Sequence, residues 1–464
     1  MNSPTFTAEE LLLATGGRLV GARPGPVAGI STDTRTLERG NAFVALRGER
    51  FDGHRFLEDA GRLGAACALV AEDSLRPGPG PGSLPLLAVP DTLLALGALA
   101  RHHRRRFAVP VVGVTGSNGK TTTREMVAEI LATRGPVLRS EGNLNNEVGV
   151  PLTLLRLSSE HTAAVVEMGM SHPGEIARLA AVAEPRVGVV TNASAAHLHG
   201  LGSVEAVASA KAELYRGLPP DGIVVANADD PRMLAKARKS GRKVVTFSGA
   251  PGAGADVAVL AVEPQGAEGQ SVLLGVGTKE VEVHLALVGA HNAVNAAAAA
   301  AAAVALGATD REIARGLAAV RPVGRRLRLE RLASGALLLD DCYNANPASM
   351  AAALATLAEL ARGGRALAAL GDMLELGEAE AESHRELGRG AARLGLAALA
   401  TFGPRAALAH QAALESGLPP EAAFHTEDPA ALAAYLRERL REGDVLLVKG
   451  SRGMRLERLV EALH

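Results

Sequence analysis

The chain has 464 residues, more than one ordinary hydrophobic core can organise, so two or three domains are expected. Its 49 basic and 50 acidic side chains leave a formal net charge of −1, which excludes a global attraction to nucleic acid or anionic membrane. Aromatic residues make up 2% and tryptophan is absent, so the cores are aliphatic and base-stacking platforms are scarce. The two cysteines, Cys67 and Cys342, form no disulfide framework and fit a reducing compartment.

Residues 1–88 read as a small α/β unit. Thr7 to Glu10 is a capping-box pattern, and the helix it opens is stopped by Gly16 and Gly17. Strands are expected at Ala42 to Leu46, Ala68 to Ala71 and Leu86 to Val89, with a Pro/Gly loop from Arg76 to Ser83. No basic stretch followed by an apolar run opens the chain, so no signal peptide is expected and the cytoplasm is the expected compartment. A helix is expected from Asp91 to Phe107. Its basic end, Arg101 to Arg106, reads as a solvated last turn complementing the helix dipole rather than as an anion patch.

Val109 to Val114 is an apolar, β-branched run that breaks at Gly116-Ser117-Asn118-Gly119-Lys120-Thr121, and a helical pattern follows from Thr122 to Leu131. A strand, a glycine turn and a helix make a phosphate cradle: backbone N–H groups close on the anion and the helix N-terminus adds partial positive charge. Lys120 can reach terminal phosphates and the Thr121 hydroxyl can hold Mg²⁺. Gly116 and Gly119 enclose two residues, where the usual phosphate loop has four. The plainer alternative is an ordinary turn with a surface lysine.

Residues 89–320 alternate strands and helices around this loop, with strands at Ala163 to Glu167, Val187 to Thr191, Ile223 to Asn227 and Val244 to Phe247, which argues a parallel, doubly wound sheet. Asp256 to Leu287 reads as an antiparallel edge. Ala290 to Leu306 reads as one buried helix, too short and too alanine-rich for a membrane span. Residues 321–464 restart the pattern, with strands at Ala336 to Asp340, Ala366 to Leu370, Ala397 to Phe402 and Val445 to Lys449.

Several polar residues stand at strand ends, where α/β sheets place ligands. Glu167 can hold Mg²⁺ directly or through water. His197 and Lys211 follow the next strand, and Asn143, Asn145 and Asn146 crowd a turn before it. Each alone has a bland explanation; together with the phosphate loop they favour a metal–nucleotide site. Asn292 and Asn295 share a helix face and can read a purine edge, with N-capping by Asn292 as the alternative. Arg325 can reach a γ-phosphate across an interface, unless it is one surface cation among four, and Asp341 can take ribose hydroxyls.

With these residues in place the sequence resembles the Mur ligases along essentially its whole length. The strings that carry the likeness are Thr115 to Thr123, Glu141 to Glu147, Glu167 to Glu175, Ala196 to Gly202, Asn227 to Asp230, Asp340 to Pro347, Leu370 to Gly377 and Lys449 to Arg452. Tyr343-Asn-Ala-Asn-Pro347 and Gly371-Asp-Met-Leu-Glu-Leu376 point within the family to the member that adds D-alanyl-D-alanine to a UDP-muramoyl tripeptide. The member adding the third residue shares Ser31, Asp33, Arg35, Asp52, Gly53 and His54, but its Asp-Asn-Pro-Arg motif is missing from the last domain.

The resemblance implies three domains: 1–88 for the UDP-sugar substrate, a central P-loop-type domain over 89–320 for ATP and Mg²⁺, and a Rossmann-like domain over 321–464 for the dipeptide. It implies Lys120, Glu167, His197, Lys211 and Arg325 as catalytic residues. The ATP set is Gly116, Ser117, Asn118, Gly119, Lys120, Thr121, Thr122, Asn292, Asn295, Arg325 and Asp341. Thr121, Glu167, His197 and Lys211 are implied as ligands of two Mg²⁺ ions, Lys211 as a carbamate. Substrates fall to Ser31, Asp33, Arg35, Asp52, Gly53, His54, Asn143, Asn145, Asn146, Tyr343, Asn344 and Asn346. The expected partners are small molecules only, and a monomer is expected. Arg325 is taken from Gly324-Arg-Arg-Leu327, where the family's Gly-Arg-Leu carries one arginine. A folate or other amino-acid ligase on the same scaffold, and a nucleotide-gated binding protein without ligation, are the alternatives.

Overall fold

The computed structural model of the chain describes residues 4–48, 51–75, 84–194 and 201–464. The Pro/Gly loop expected at Arg76 to Ser83 and the residue His197 lie outside the described residues. Three α/β units follow one another. A five-stranded sheet takes Leu86–Val89, Cys67–Ala71, Ala42–Val44 and Ile30–Ser31 in parallel, with Arg18–Val20 antiparallel on its edge. The strand Leu86–Val89 runs one residue past the expected boundary at 88.

The central sheet has nine strands. Val111–Thr115 lies inside it, between Ala163–Glu167 and Val187–Val190, both parallel to it. Successive strands leave Val111–Thr115 in opposite directions, so the crevice at its carboxyl end is the switch point where open α/β sheets bind ligands. Glu167 pairs in register with Val114, which brings this carboxylate to the same rim. Val257–Pro264, Gln270–Val276 and Lys279–Leu285 finish the sheet as the expected antiparallel edge.

The phosphate-loop helix, Lys120–Ala132, begins two residues earlier than expected because Gly119, at φ 80°, turns the chain directly into it. It packs on His291–Ala305, where every alanine from 296 to 303 is buried. A Cβ on Gly119 would meet Asn295 Oδ1 at 2.2 Å and one on Gly116 would meet Thr191 Oγ1 at 1.8 Å, so both loop glycines are demanded by packing.

The last unit is a six-stranded sheet. Leu337–Asp341, Val445–Lys449, Ala366–Gly371, Ala398–Phe402 and Ala423–Thr426 are parallel, and Arg328–Arg331 is antiparallel on the edge. The two outer strands were not expected: Arg328-Leu-Glu-Arg331 and the half-buried Ala423–Thr426 lack the apolar runs that mark inner strands.

The Arg101 to Arg106 run closes the helix Thr92–Arg104 with Arg101, Arg105 and Arg106 exposed, as expected of a solvated last turn, and it also reaches other elements. Arg101 and Arg105 donate to Glu184 at 2.8 and 3.0 Å. Arg104 donates to the carbonyls of Ala183, Phe107 and Val109, and Arg106 to Thr5 O at 2.7 Å and Glu10 at 2.8 Å. The helix Thr92–Arg104 thus fastens the amino-terminal segment to the central sheet's outer helices. His103 is buried there between Phe6 and Phe107, with Nε2 on Leu157 O at 2.8 Å and Nδ1 without a partner.

Burial, more than any charge nearby, holds the His103 pKa below 6.5. A folded-state pKa below the unfolded one gives stability that is complete above about pH 6.5 and is lost as pH falls, because the unfolded chain takes up the proton first. Urea midpoints measured at about pH 7.5 and 5.5 should fall further in the wild type than in His103→Gln. The excess slope should not exceed about 1.4 kcal/mol per pH unit.

Candidate active site

A cavity of about 980 Å³ opens at the switch point and is walled by both the central and the last units. Its floor is the phosphate loop. Ser117, Asn118, Gly119, Lys120, Thr121 and Thr122 all line it. Gly119 offers no side-chain cap, so the first N–H groups of the helix, on residues that line the cavity, have neither a capping side chain nor an intrahelical carbonyl. Lys120 folds back on its own loop, with Nζ donating to Gly116 O at 2.9 Å and Ser117 O at 3.3 Å. Burial lowers the Lys120 pKa, the Glu167 carboxylate opposes this and the Arg326 charge adds to it. An incoming phosphate would replace two neutral carbonyls with a full negative charge.

Glu167 is 2% exposed and held by three groups. Arg124 donates to it at 3.2 Å, Asn145 Nδ2 donates at 2.9 Å, and its own N–H donates to Ser140 Oγ at 3.1 Å. Arg124 follows Lys120 by four residues on the same helix face, and it also pairs with Glu125, which in turn accepts from Arg139. The sequence reading missed Arg124; its i+4 spacing from the loop lysine was the available signal.

Lys211 lies at the end of the helix Val204–Lys211 and lines the cavity while only 2% exposed. Desolvation drives its pKa well below the ordinary lysine value, and the positive charge of Lys120 pushes the same way. Among the described residues no carboxylate pairs with it.

From the far wall come Tyr343, Asn344, Asn346, Asp341 and Arg326. The Arg326 guanidinium stacks 4.1 Å from the Tyr343 ring centroid. Arg325, by contrast, turns away from the cavity, donating to buried Asp340 at 2.9 Å and to Glu461 at 3.2 Å. The structure therefore corrects the register of the arginine pair: Arg326 faces the phosphate loop. Both arginines lie in the bend at 324–327, and the choice between them was fixed by which one buried Asp340 holds as its partner. Asp341 accepts from Lys449 and from Leu327 N at 3.3 Å. Lys449 was also missed, although a charge ending the apolar strand Val445–Lys449 is the same signal that marked Glu167.

Asn292 and Asn295 line the cavity but spend their amides on protein. Asn292 Nδ2 donates to Val288 O at 2.8 Å and Asn295 Nδ2 to Asn292 Oδ1 at 3.0 Å. The helix cap is Ala290, so Asn292 is no N-cap. Asn145 and Asn146 reach the cavity; Asn143 and Gly116 do not line it.

Ser31, Asp33, Arg35, Asp52, Gly53 and His54 also lie outside the cavity lining, in two local clusters. Ser31 Oγ donates to Asp33 O, and Asp33 holds Arg35 through Nε at 2.9 Å, which keeps the Asp33 pKa down at about 2. His54 Nδ1 meets Asp52 at 2.6 Å while Nε2 accepts from Ala71 N at 2.9 Å, and a Cβ on Gly53 would meet Leu46 O at 2.8 Å.

This arrangement of phosphate loop, strand-end carboxylate, buried lysine and arginine from a facing sheet is the kind found in ATP-using ligases. Three sequence profiles match the chain in order: the Mur ligase family catalytic domain over residues 26–104, the Mur ligase middle domain over 114–303, and the Mur ligase glutamate ligase domain over 325–452. The chain belongs to the Mur ligase family. It is 41% identical over 463 residues to the UDP-N-acetylmuramoyl-tripeptide--D-alanyl-D-alanine ligase of Escherichia coli (strain K12), covering 99% of this chain and 98% of that one. The enzyme of the same name from Bacillus subtilis (strain 168) is 37% identical over 94% of this chain and 93% of its own. A crystal structure of MurF from Acinetobacter baumannii superposes with a TM-score of 0.90 at 34% identity, over 100% of this chain and 99% of that one. The MurF ligase from Thermotoga maritima in complex with ADP gives 0.83 at 30% identity, over 94% and 96%.

Proposed function

We propose that this chain is an ATP-dependent amide ligase that joins D-alanyl-D-alanine to UDP-N-acetylmuramoyl-tripeptide in peptidoglycan precursor synthesis. It acts as a cytoplasmic monomer, with residues 1–88 holding the UDP-substrate, 89–320 the nucleotide and 321–464 the dipeptide. The observation that carries the reading is one cavity lined by Lys120, Thr121, Glu167 and Lys211 on one wall and by Arg326, Tyr343 and Asn344 on the other.

A peptide carboxylate and a γ-phosphate repel, so they meet only if cations lie between them. Lys120 leaves its loop carbonyls for the γ-phosphate, and Arg326 approaches from the facing sheet. The carboxylate oxygen bonds to the γ-phosphorus as the bond to ADP breaks, giving an acyl phosphate. The amine of D-alanyl-D-alanine then adds to the acyl carbon, and the tetrahedral intermediate expels phosphate. Walls from two sheets keep water from the acyl phosphate.

The donors present suit a hard cation: the Thr121 hydroxyl, the Glu167 carboxylate and, once CO₂ has added to the neutral amine, a carbamate at Lys211. Glu167 alone would supply one negative charge, and among the described residues no cluster of three acidic, histidine or cysteine side chains stands there, so the carbamate is what makes the set fit. Two Mg²⁺ ions held by Thr121, Glu167, His197 and that carbamate would neutralise charge during transfer.

The direct test is ADP release. It should require UDP-N-acetylmuramoyl-tripeptide and D-alanyl-D-alanine together; ATP turnover unchanged on omitting the dipeptide would defeat the assignment. Offering folate or other amino acids in the same assay separates the related ligases.

The arginine register gives a second test. Arg326→Ala should lower kcat roughly 100-fold or more, as loss of a transition-state arginine does. Arg325→Ala should instead cost about 1.5–3 kcal/mol of stability, since buried Asp340 loses its charged donor, with kcat changed far less. The reverse pattern would restore Arg325 to the site.

A further inference from the structure

Apart from Arg321, which donates to the adjoining carbonyls of Ala318 and Val320 at the connection itself, one hydrogen bond joins the central and last units among the described residues: Asn346 Nδ2 donates to Asn118 Oδ1 at 2.7 Å. We propose that Asn346 is a positioning residue, a latch through which the phosphate loop sets the placement of the last sheet's cavity wall.

The geometry leaves neither amide free to turn. Asn346 Oδ1 accepts from Ser349 N at 2.9 Å and caps the helix Pro347–Leu360, while its N–H donates to Ser349 Oγ at 3.0 Å. The capping oxygen dictates that Nδ2 faces outward, toward the loop. On the other side, Asn118 Nδ2 donates to Ser194 Oγ at 3.1 Å, its N–H donates to Asn192 Oδ1 at 3.0 Å, and its carbonyl accepts from Asn192 Nδ2 at 3.2 Å. Oδ1 is therefore the atom Asn118 has left for the facing sheet. Asn118 lies between the two loop glycines, where any adjustment to a bound phosphate must pass. Asn346 lies three residues after Tyr343, whose ring carries Arg326. Loop, amide pair and helix cap form one chain of contacts, and the short backbone between Tyr343 and Asn346 joins it to the arginine.

The test separates latch from cap. Asp caps helices as well as Asn but has no donor, so Asn346→Asp keeps the helix and sets two acceptors face to face. Asn118→Ser removes the acceptor from the other side without touching the cap. The latch rests on the ATP site assigned above, and the readout is the Kd of a non-hydrolysable ATP analogue by calorimetry, with melting temperature recorded for each variant. Asn346→Asp should bind the analogue roughly 3- to 10-fold more weakly, in line with a lost hydrogen bond, and still melt cooperatively. The double variant should bind no more weakly than Asn118→Ser alone. X-ray scattering with the analogue should show Asn346→Asp more expanded than the wild type. Equal affinity for wild type and Asn346→Asp, or effects that simply add in the double variant, overturn the latch. A wild-type protein with no affinity for the analogue overturns the ATP site and the latch with it.

Discussion

Lys211→Ala is expected to abolish ligation, and short carboxylic acids such as acetate or formate are expected to restore part of it. The side chain is buried against a cavity that also holds the Lys120 charge, and desolvation keeps its amine toward the neutral form. A protonated ammonium there would be a buried charge with a like neighbour, the costliest arrangement in the site. The neutral amine gives its lone pair to CO₂ and sheds one N–H proton to solvent, and the resulting carbamate is an anion that suits both Lys120 and a divalent cation. The sign follows: because the folded-state pKa is depressed, the reactive neutral amine is present at a lower pH than for an exposed lysine, and activity should be lost as pH falls through that pKa. Truncation to alanine leaves room for a small acid whose two oxygens take the carbamate's place. ADP release measured against acid concentration is the assay. Full activity of Lys211→Ala, or no recovery with any short acid, would remove the carbamate from the mechanism.

Lys120→Ala should cost about 3–4 kcal/mol of transition-state stabilisation, a loss of two to three powers of ten in kcat, as for other lost oxyanion donors. The resting contacts with Gly116 and Ser117 are to neutral carbonyls, so little folding energy rides on them, and the melting temperature should change by a few degrees at most. The charge matters most when it develops on the transferring phosphoryl group. Lys120→Arg should recover little, since a planar fork does not fit a half-buried slot shaped for a point charge. Unchanged turnover in Lys120→Ala would take the residue out of the chemistry.

The inner strands and the phosphate loop were legible because their signals are local. A β-branched run, a glycine pair and a strand ending in an acid need no knowledge of distant chain. Lys120, Thr121, Glu167 and Lys211 were placed together by that logic, and they line one cavity. What failed was decided by distant partners. Arg325 and Arg326 are neighbours of the same type, and Asp340, fifteen residues beyond Arg325, sorts them. The exposed turn at Arg101 to Arg106 was legible, but its contacts were not, because Glu184, Thr5 and the carbonyl of Ala183 come from other elements. The edge strands Arg328–Arg331 and Ala423–Thr426 escaped notice because half-buried edges lack an inner strand's apolar run.

The borders of the nine-stranded sheet carry a consequence for life in a crowded solution. One border is Val137–Arg139, only three residues long, and the other is Lys279–Leu285, whose exposed Lys279, Glu280, Glu282 and His284 present charge or polarity to the solvent. A stranger's strand would find either too short a template or a row of hydrated side chains to strip. The nine-stranded layer can therefore be wide without seeding amyloid-like stacking.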